Sequence, residues 1–254
     1  MNLENAKKEF NSFVKQYDLE FPKMQRKYKH SYRVMENSKN IAQSLNLTDS
    51  EIEIATLIGL LHDIGHFEEI KVRDILKENT KMDHGDLGVE ILLKDEYIRK
   101  FIEEEKNDNI IMKAIKNHNK FKIEDGLSEK ELLFAKIIRD ADKLDIFYEG
   151  AEIFWTNREE LEEINNSKIS DKVLAEFRDN IVIDRKDTVT KVDRILSIVS
   201  FIFDINYKYN FKVLKEKKYI NRILDKFSFK DEVTSGQIEE VSKIVNDYTE
   251  KQCY

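Results

Sequence analysis

One proline and 7 glycines in 254 residues constrain this chain more than any motif does. Average usage would supply roughly 18 glycines and 13 prolines at this length. Sheets need tight turns, and tight turns need those residues. Their scarcity predicts an all-α chain of long helices. Helix punctuation agrees. Thr48-Asp49-Ser50-Glu51 has the form of a capping box that opens the apolar run Ile52 to Leu61, and Ser128-Glu129-Lys130-Glu131 opens a second run, Leu132 to Tyr148. Gly65 falls where a C-terminal cap of the first run is expected. The periodicity predicts helices near 2–18, 24–45, 50–64, 84–94, 108–118, 129–148, 151–164, 170–179, 188–207, 211–226 and 232–249. Residues 66–83 form the longest stretch without a helical pattern and are expected to wrap a site.

The charged fraction is 37% and the hydrophobic fraction 41%, which suits helices with one apolar face and well-charged outer faces. Acidic residues outnumber basic ones, 50 to 43, for a net charge of −7. With no basic patch in view, duplex nucleic acid is excluded as the expected partner. Lys215, Lys217 and Lys218 read as a solvated helix face. No apolar run is long enough for a membrane span. The nearest, Ile195 to Ile205, contains Ser197, Ser200 and Asp204 and reads as a buried core helix. Met1-Asn2-Leu3-Glu4 lacks the basic and apolar segments of a leader. Cys253 is the single cysteine and cannot close an internal disulfide, so a reducing cytoplasm is the expected compartment. No linker or composition break interrupts the chain. The expectation is one compact domain, with residues 1–150 carrying the site and 151–254 forming a helical extension packed on it.

All 5 histidines lie between positions 30 and 118, and their placement on helices is more telling than their clustering. His30 shares a stripe with Val34, Ile41 and Leu45. His84 shares one with Leu87, Gly88 and Ile91, and His118 one with Ile111 and Ile115. His62 ends the run Ala55 to Leu61. Asp142 lies in line with Ala135, Ile138 and Ile146. Residues three and four apart share a helical face. Four imidazoles and a carboxylate therefore point where a core should be. A single such histidine is more often a core residue with a hydrogen-bond partner. For the set, the balance reverses, because each buried polar group needs a partner and a buried carboxylate needs a counter-charge. One or two divalent ions would satisfy all of them. Imidazole and carboxylate suit Mn, Fe, Co, Ni or Zn, with Mg also open. Adjacent helical residues point about 100° apart, so His62 and Asp63 can serve one site only at a helix end. An aspartate there can bridge two ions through its two oxygens.

His62-Asp63-Ile64-Gly65 resembles the HDIG signature of the HD superfamily. An earlier His30, followed by Ser31 and Arg33-Val34, and a later Asp142 within Asp140-Ala141-Asp142-Lys143 follow that family's order. The resemblance covers about residues 24–148. It implies an all-helical HD-type fold and a metal-dependent phosphohydrolase, several members acting on nucleotides. It implies a first ion held by His30, His62, Asp63 and Asp142, with His84 and His118 where two-metal members carry further ligands. Many relatives have Lys, Arg or Glu after the signature; here it is His66, expected either to act in catalysis or substrate contact, or to lie behind the ligands or on the surface, or to serve as a seventh ligand. An imidazole can donate a proton to a leaving oxygen.

The expected reaction is hydrolysis of a phosphate ester of a small molecule, a nucleotide by family analogy, by metal-activated water. Asp63, His66 and Lys143 are the candidate catalytic residues. Lys143, Arg139 and Arg33 are candidates for substrate binding, although Arg139 reads slightly better as an exposed helix face. The same ligand set also serves HD-type di-iron oxygenases, and a metal-binding signalling module is a third reading. The HDIG motif and the short interval from His62 to His84 favour the hydrolase. A homo-oligomer is left open.

Overall fold

The computed structural model describes residues 1–78 and 82–253. Every regular element among them is helical, and the protein is all-α. The chain divides into two compact units, Met1–Asp142 and Lys143–Tyr254.

The first unit begins with α1 (Leu3–Val14), α2 (Pro22–Ser44), α3 (Asp49–Leu61), α4 (Ile64–Ile70), α5 (His84–Leu93) and α6 (Asp108–Asn117). It closes with the first part of α7 (Glu129–Glu152). The start signals act as the sequence indicates. Pro22 occupies the first turn of α2, where its fixed φ suits a helix and its missing N–H costs nothing. Thr48 and Glu51 cap α3 reciprocally. Glu131 accepts from the backbone and hydroxyl of Ser128, each at 2.7 Å, ahead of α7. Asp83 receives the N–H groups of Gly85 and Asp86 at the head of α5. Val34, Ile41, Leu57, Leu61, Ile111, Ile115 and Ile138 are fully buried, each side chain contributing roughly 1.5–3 kcal/mol of transfer free energy. Phe10, Phe13 and Phe67 meet edge to face at 6.0–6.3 Å, an arrangement aromatic rings prefer. α2 and α3 pack closely because position 59 is glycine: a Cβ there would lie 2.8 Å from the Met35 Cα and 2.7 Å from the Ser38 hydroxyl.

The second unit holds α8 (Arg158–Asn165), α9 (Asp171–Arg178), α10 (Lys191–Val199), α11 (Lys208–Lys217), α12 (Tyr219–Leu224) and α13 (Glu232–Cys253). Phe147, Val173, Phe177, Val192, Leu196, Val199, Ile223 and Val241 form its core. The apolar run from Ile195 is buried there, as expected. Among the described residues, no helix is long and apolar enough to cross a membrane.

Several expected boundaries move. α1 ends at Val14 rather than near 18. The expected helix 211–226 is two, separated by Lys218 in the left-handed region at φ 53°. α7 runs on to Glu152, and Trp155 at φ 55° precedes α8. The 188–207 helix is α-helical only to Val199 and continues as a tighter turn, Ser200–Asp204. The largest correction concerns 66–83. Most of its first half is helical: α4 runs to Ile70, followed by a π-helical turn, Lys71–Ile75. Residues 79–81 lie outside the described residues. Gly65 is not a left-handed cap. It sits inside α4 because α5 crosses there; an added Cβ would stand 2.3 Å from the His84 carbonyl oxygen and 2.5 Å from the Gly88 nitrogen.

Candidate metal centre

The break between α3 and α4 creates the site. Asp63 has φ −100° and ψ 17°, outside helical values, so the chain turns between His62 and Ile64. That turn lets two adjacent side chains face one point, which neither helix alone would permit. Asp63 is at the centre, with only 2% of its side chain exposed. Its Oδ2 lies 3.4 Å from the Nε2 of His30 and 3.4 Å from the Nε2 of His62. Its Oδ1 lies 3.5 Å from the Nε2 of His118 and 3.6 Å from the Nε2 of His84. Asp142 closes the first group, its Oδ1 3.1 Å from His30 Nε2 and 3.8 Å from His62 Nε2. The donor atoms of His30, His62 and Asp63, and those of Asp63, His84 and His118, are each close enough to share an ion. The six residues expected as ligands from the sequence are thus together.

The hydrogen bonds fix which nitrogens carry protons. His62 Nδ1–H donates to the Gly59 carbonyl at 2.8 Å. His118 Nδ1–H donates to the Ile115 carbonyl at 2.6 Å. In a neutral ring, the Nε2 then bears a lone pair, and in both residues that lone pair faces an Asp63 oxygen. Burial pushes the His118 pKa below its ordinary value, with the neighbouring His62 and His84 adding to the effect. A lone pair facing a carboxylate oxygen without a proton between them is repulsive, and His62 and His30 bring their Nε2 atoms to 3.2 Å as well. A shared cation resolves all of these contacts. The donor set, imidazole nitrogen and carboxylate oxygen, is one that divalent transition metals take. The residues therefore fit a metal centre.

Around this core lies a second ring of partners. Lys27 donates to Asp63 Oδ2 at 2.7 Å. Burial raises the Asp63 pKa, but the Lys27 ammonium, His62 and His66 outweigh it and hold the carboxyl well below the usual range. Asp142 is likewise held low: burial opposes ionisation, but the His30 contact prevails. His84 Nδ1–H donates to Glu69 Oε2 at 3.1 Å, turning its Nε2 toward Asp63, an arrangement common around bound metals. His66, one turn into α4, places its Nδ1 3.6 Å from Asp63 Oδ1 and 3.8 Å from Glu69 Oε2. That nitrogen is buried without a hydrogen-bond partner. Burial, with Lys27 adding, lowers the His66 pKa to about 4.

The remaining candidates fall elsewhere. Arg139 is buried, 4% exposed, which corrects its reading as an exposed helix face. Its guanidinium donates to the carbonyls of Asn117 and Phe121 at 3.1 and 3.3 Å, so it braces the chain that carries His118. Arg33 is half-buried on α2. Lys143 belongs to the second unit, where its ammonium pairs with Asp204 at 2.7 Å. Lys27 and Glu69 escaped the sequence reading. Lys27 lies three residues before His30, hence on its face, but it hides among Lys23, Arg26 and Lys29. Glu69 could be found only by knowing that α4 continues past Gly65.

Residues 28–146 match the family model for the HD domain. This segment is similar to HD domains. The match spans all six candidate ligands and ends within α7. No curated protein and no solved structure matches the chain significantly.

Proposed function

We propose that the protein is a metal-dependent phosphohydrolase that cleaves a phosphate ester of a small molecule, with nucleotides as the substrate class. One observation carries the reading. Each oxygen of Asp63 faces its own group of imidazole nitrogens, Oδ2 toward His30 and His62 and Oδ1 toward His84, His118 and His66. A carboxylate so placed suits a pair of ions, the first held by His30, His62, Asp63 and Asp142, the second by Asp63, His84 and His118. Divalent ions there would lower the pKa of a bound water and neutralise phosphoryl oxygens.

The chain's own residues supply the rest. His62 and His118 are locked by carbonyls in the tautomer that presents Nε2 inward, so little rearrangement is needed on loading. Burial holds the His66 pKa down, at about 4. The imidazole gains a proton donor's competence only when an anion nearby raises its pKa, and a phosphate ester is such an anion. Arg33 is the proposed contact for the ester's remaining charge, and cytoplasm the proposed compartment.

The test is a phosphatase screen over mono- and dinucleotides with Mn, Co, Ni and Mg. Ion-dependent phosphate release is expected, and His62→Ala should abolish it. Oxygen uptake by the iron-loaded protein without phosphate release would replace this reading with the oxygenase one.

A further inference from the structure

Lys27 is bonded to the carboxylate at the centre of the candidate metal site. Its Nζ is 2.7 Å from Asp63 Oδ2, the same oxygen that faces Nε2 of His30 and of His62 at 3.4 Å each. The lysine side chain is 15% exposed and the carboxylate 2%, so this is an interior pair. A carboxylate at that depth stays charged only beside a cation. His62 and His118 direct their Nδ1 protons to backbone carbonyls, away from Asp63. Lys27 supplies positive charge from α2, on the face that also carries His30. A divalent ion held by His30, His62 and Asp63 would need the same oxygen. An ammonium and a divalent ion on one carboxylate oxygen repel strongly where little water screens them.

We infer that Lys27 is an internal counter-cation of this site, holding Asp63 Oδ2 until a divalent ion takes that oxygen, so that ion entry and lysine release are one exchange. The inference rests on the metal reading proposed above. Lys27 is a positioning residue that acts through Asp63. It keeps the carboxylate ionised and aimed before loading, and it weakens ion binding relative to what the ligands alone would give.

The experiment is calorimetric titration of Mn²⁺ into metal-free wild type, Lys27→Met and Lys27→Arg, with thermal melts of the same metal-free proteins. Lys27→Met is expected to bind its first Mn²⁺ about tenfold more tightly or better, because a repulsive charge is gone. Its metal-free form should melt at a lower temperature. Lys27→Arg should stay near wild type in both. Unchanged or weaker binding by Lys27→Met overturns the exchange and leaves the metal centre standing. Absence of Mn²⁺ binding in the wild type overturns the metal centre and the exchange together. If Lys27→Met does not fold, the wild type decides. Acetic anhydride labelling of Lys27, read by peptide mass spectrometry, should rise several-fold on saturation with Mn²⁺, and equal labelling overturns the exchange.

Discussion

At the scale of single residues, the site depends on which nitrogen of each histidine carries its proton. Glu69 is the partner that orients His84, with Oε2 3.1 Å from Nδ1. The salt bridge from Arg73 to its other oxygen holds the carboxylate itself. Burial raises the Glu69 pKa, but the bond from His84 and the charges of His66, His84 and Arg73 keep it below its ordinary value. Glu69→Ala should leave the other five candidate ligands in place and free His84 to rotate. A loss of about 10- to 100-fold in metal affinity is the usual size of such an effect. Equilibrium dialysis against Zn²⁺ or Mn²⁺ measures it, and an unchanged affinity would show that His84 needs no orienting partner.

At the scale of elements, the crossing of α4 over α5 sets where His84 stands relative to Asp63. Gly65→Ala would place a methyl 2.3 Å from the His84 carbonyl oxygen, backbone that cannot easily yield. A loss of about 1–3 kcal/mol or more is expected from such overpacking, together with lower metal affinity, as read by urea unfolding and metal titration. The end of α6 gives a pH signature away from the site. Glu124 accepts from Lys113 and Lys116 at 2.7 and 3.1 Å, and the Lys113 bond, then the Lys116 bond, lower its pKa from 4.5 to about 2. The folded form therefore binds its proton less readily than the unfolded chain. This contribution is full above pH 4.5 and fades as pH falls toward 2. For a pair this exposed, it is worth under ~1 kcal/mol. Urea melts of wild type and Glu124→Gln should differ at pH 6 and converge near pH 2.

These elements also mark what the sequence made legible. His30, His84, His118 and Asp142 stand out because each shares a helical stripe with apolar residues, His62 because it ends an apolar run, and Thr48 and Ser128 announce their helices by capping chemistry. The α4 extension did not stand out. Gly65 was taken for a stop because glycine usually ends helices at this position, whereas here it is required by a helix from elsewhere in the chain. That is a tertiary contact, invisible in local pattern. Lys27 was hidden for the same reason: nothing in the sequence around it distinguishes a lysine that turns inward from its solvated neighbours.

At the scale of the whole molecule, residues 28–146 match the HD-domain family model, and the boundary between the two compact units falls within α7, where no change of composition marks it. The first unit draws its candidate ligands from α2, the α3–α4 turn, α5, the end of α6 and α7. An ion held by residues from so many elements would stabilise the fold that joins them. An ion bound only by the folded form adds about 2.7 kcal/mol when its concentration is 100 times Kd. The central claim is that Asp63 lies between two groups of ligands that hold divalent ions. It is tested most directly by the metal content of Mn²⁺-loaded, desalted wild type and Asp63→Ala, measured by mass spectrometry with folding checked by circular dichroism. The account predicts bound Mn²⁺ in the wild type and almost none in a folded Asp63→Ala. Equal metal content in the two proteins would contradict it.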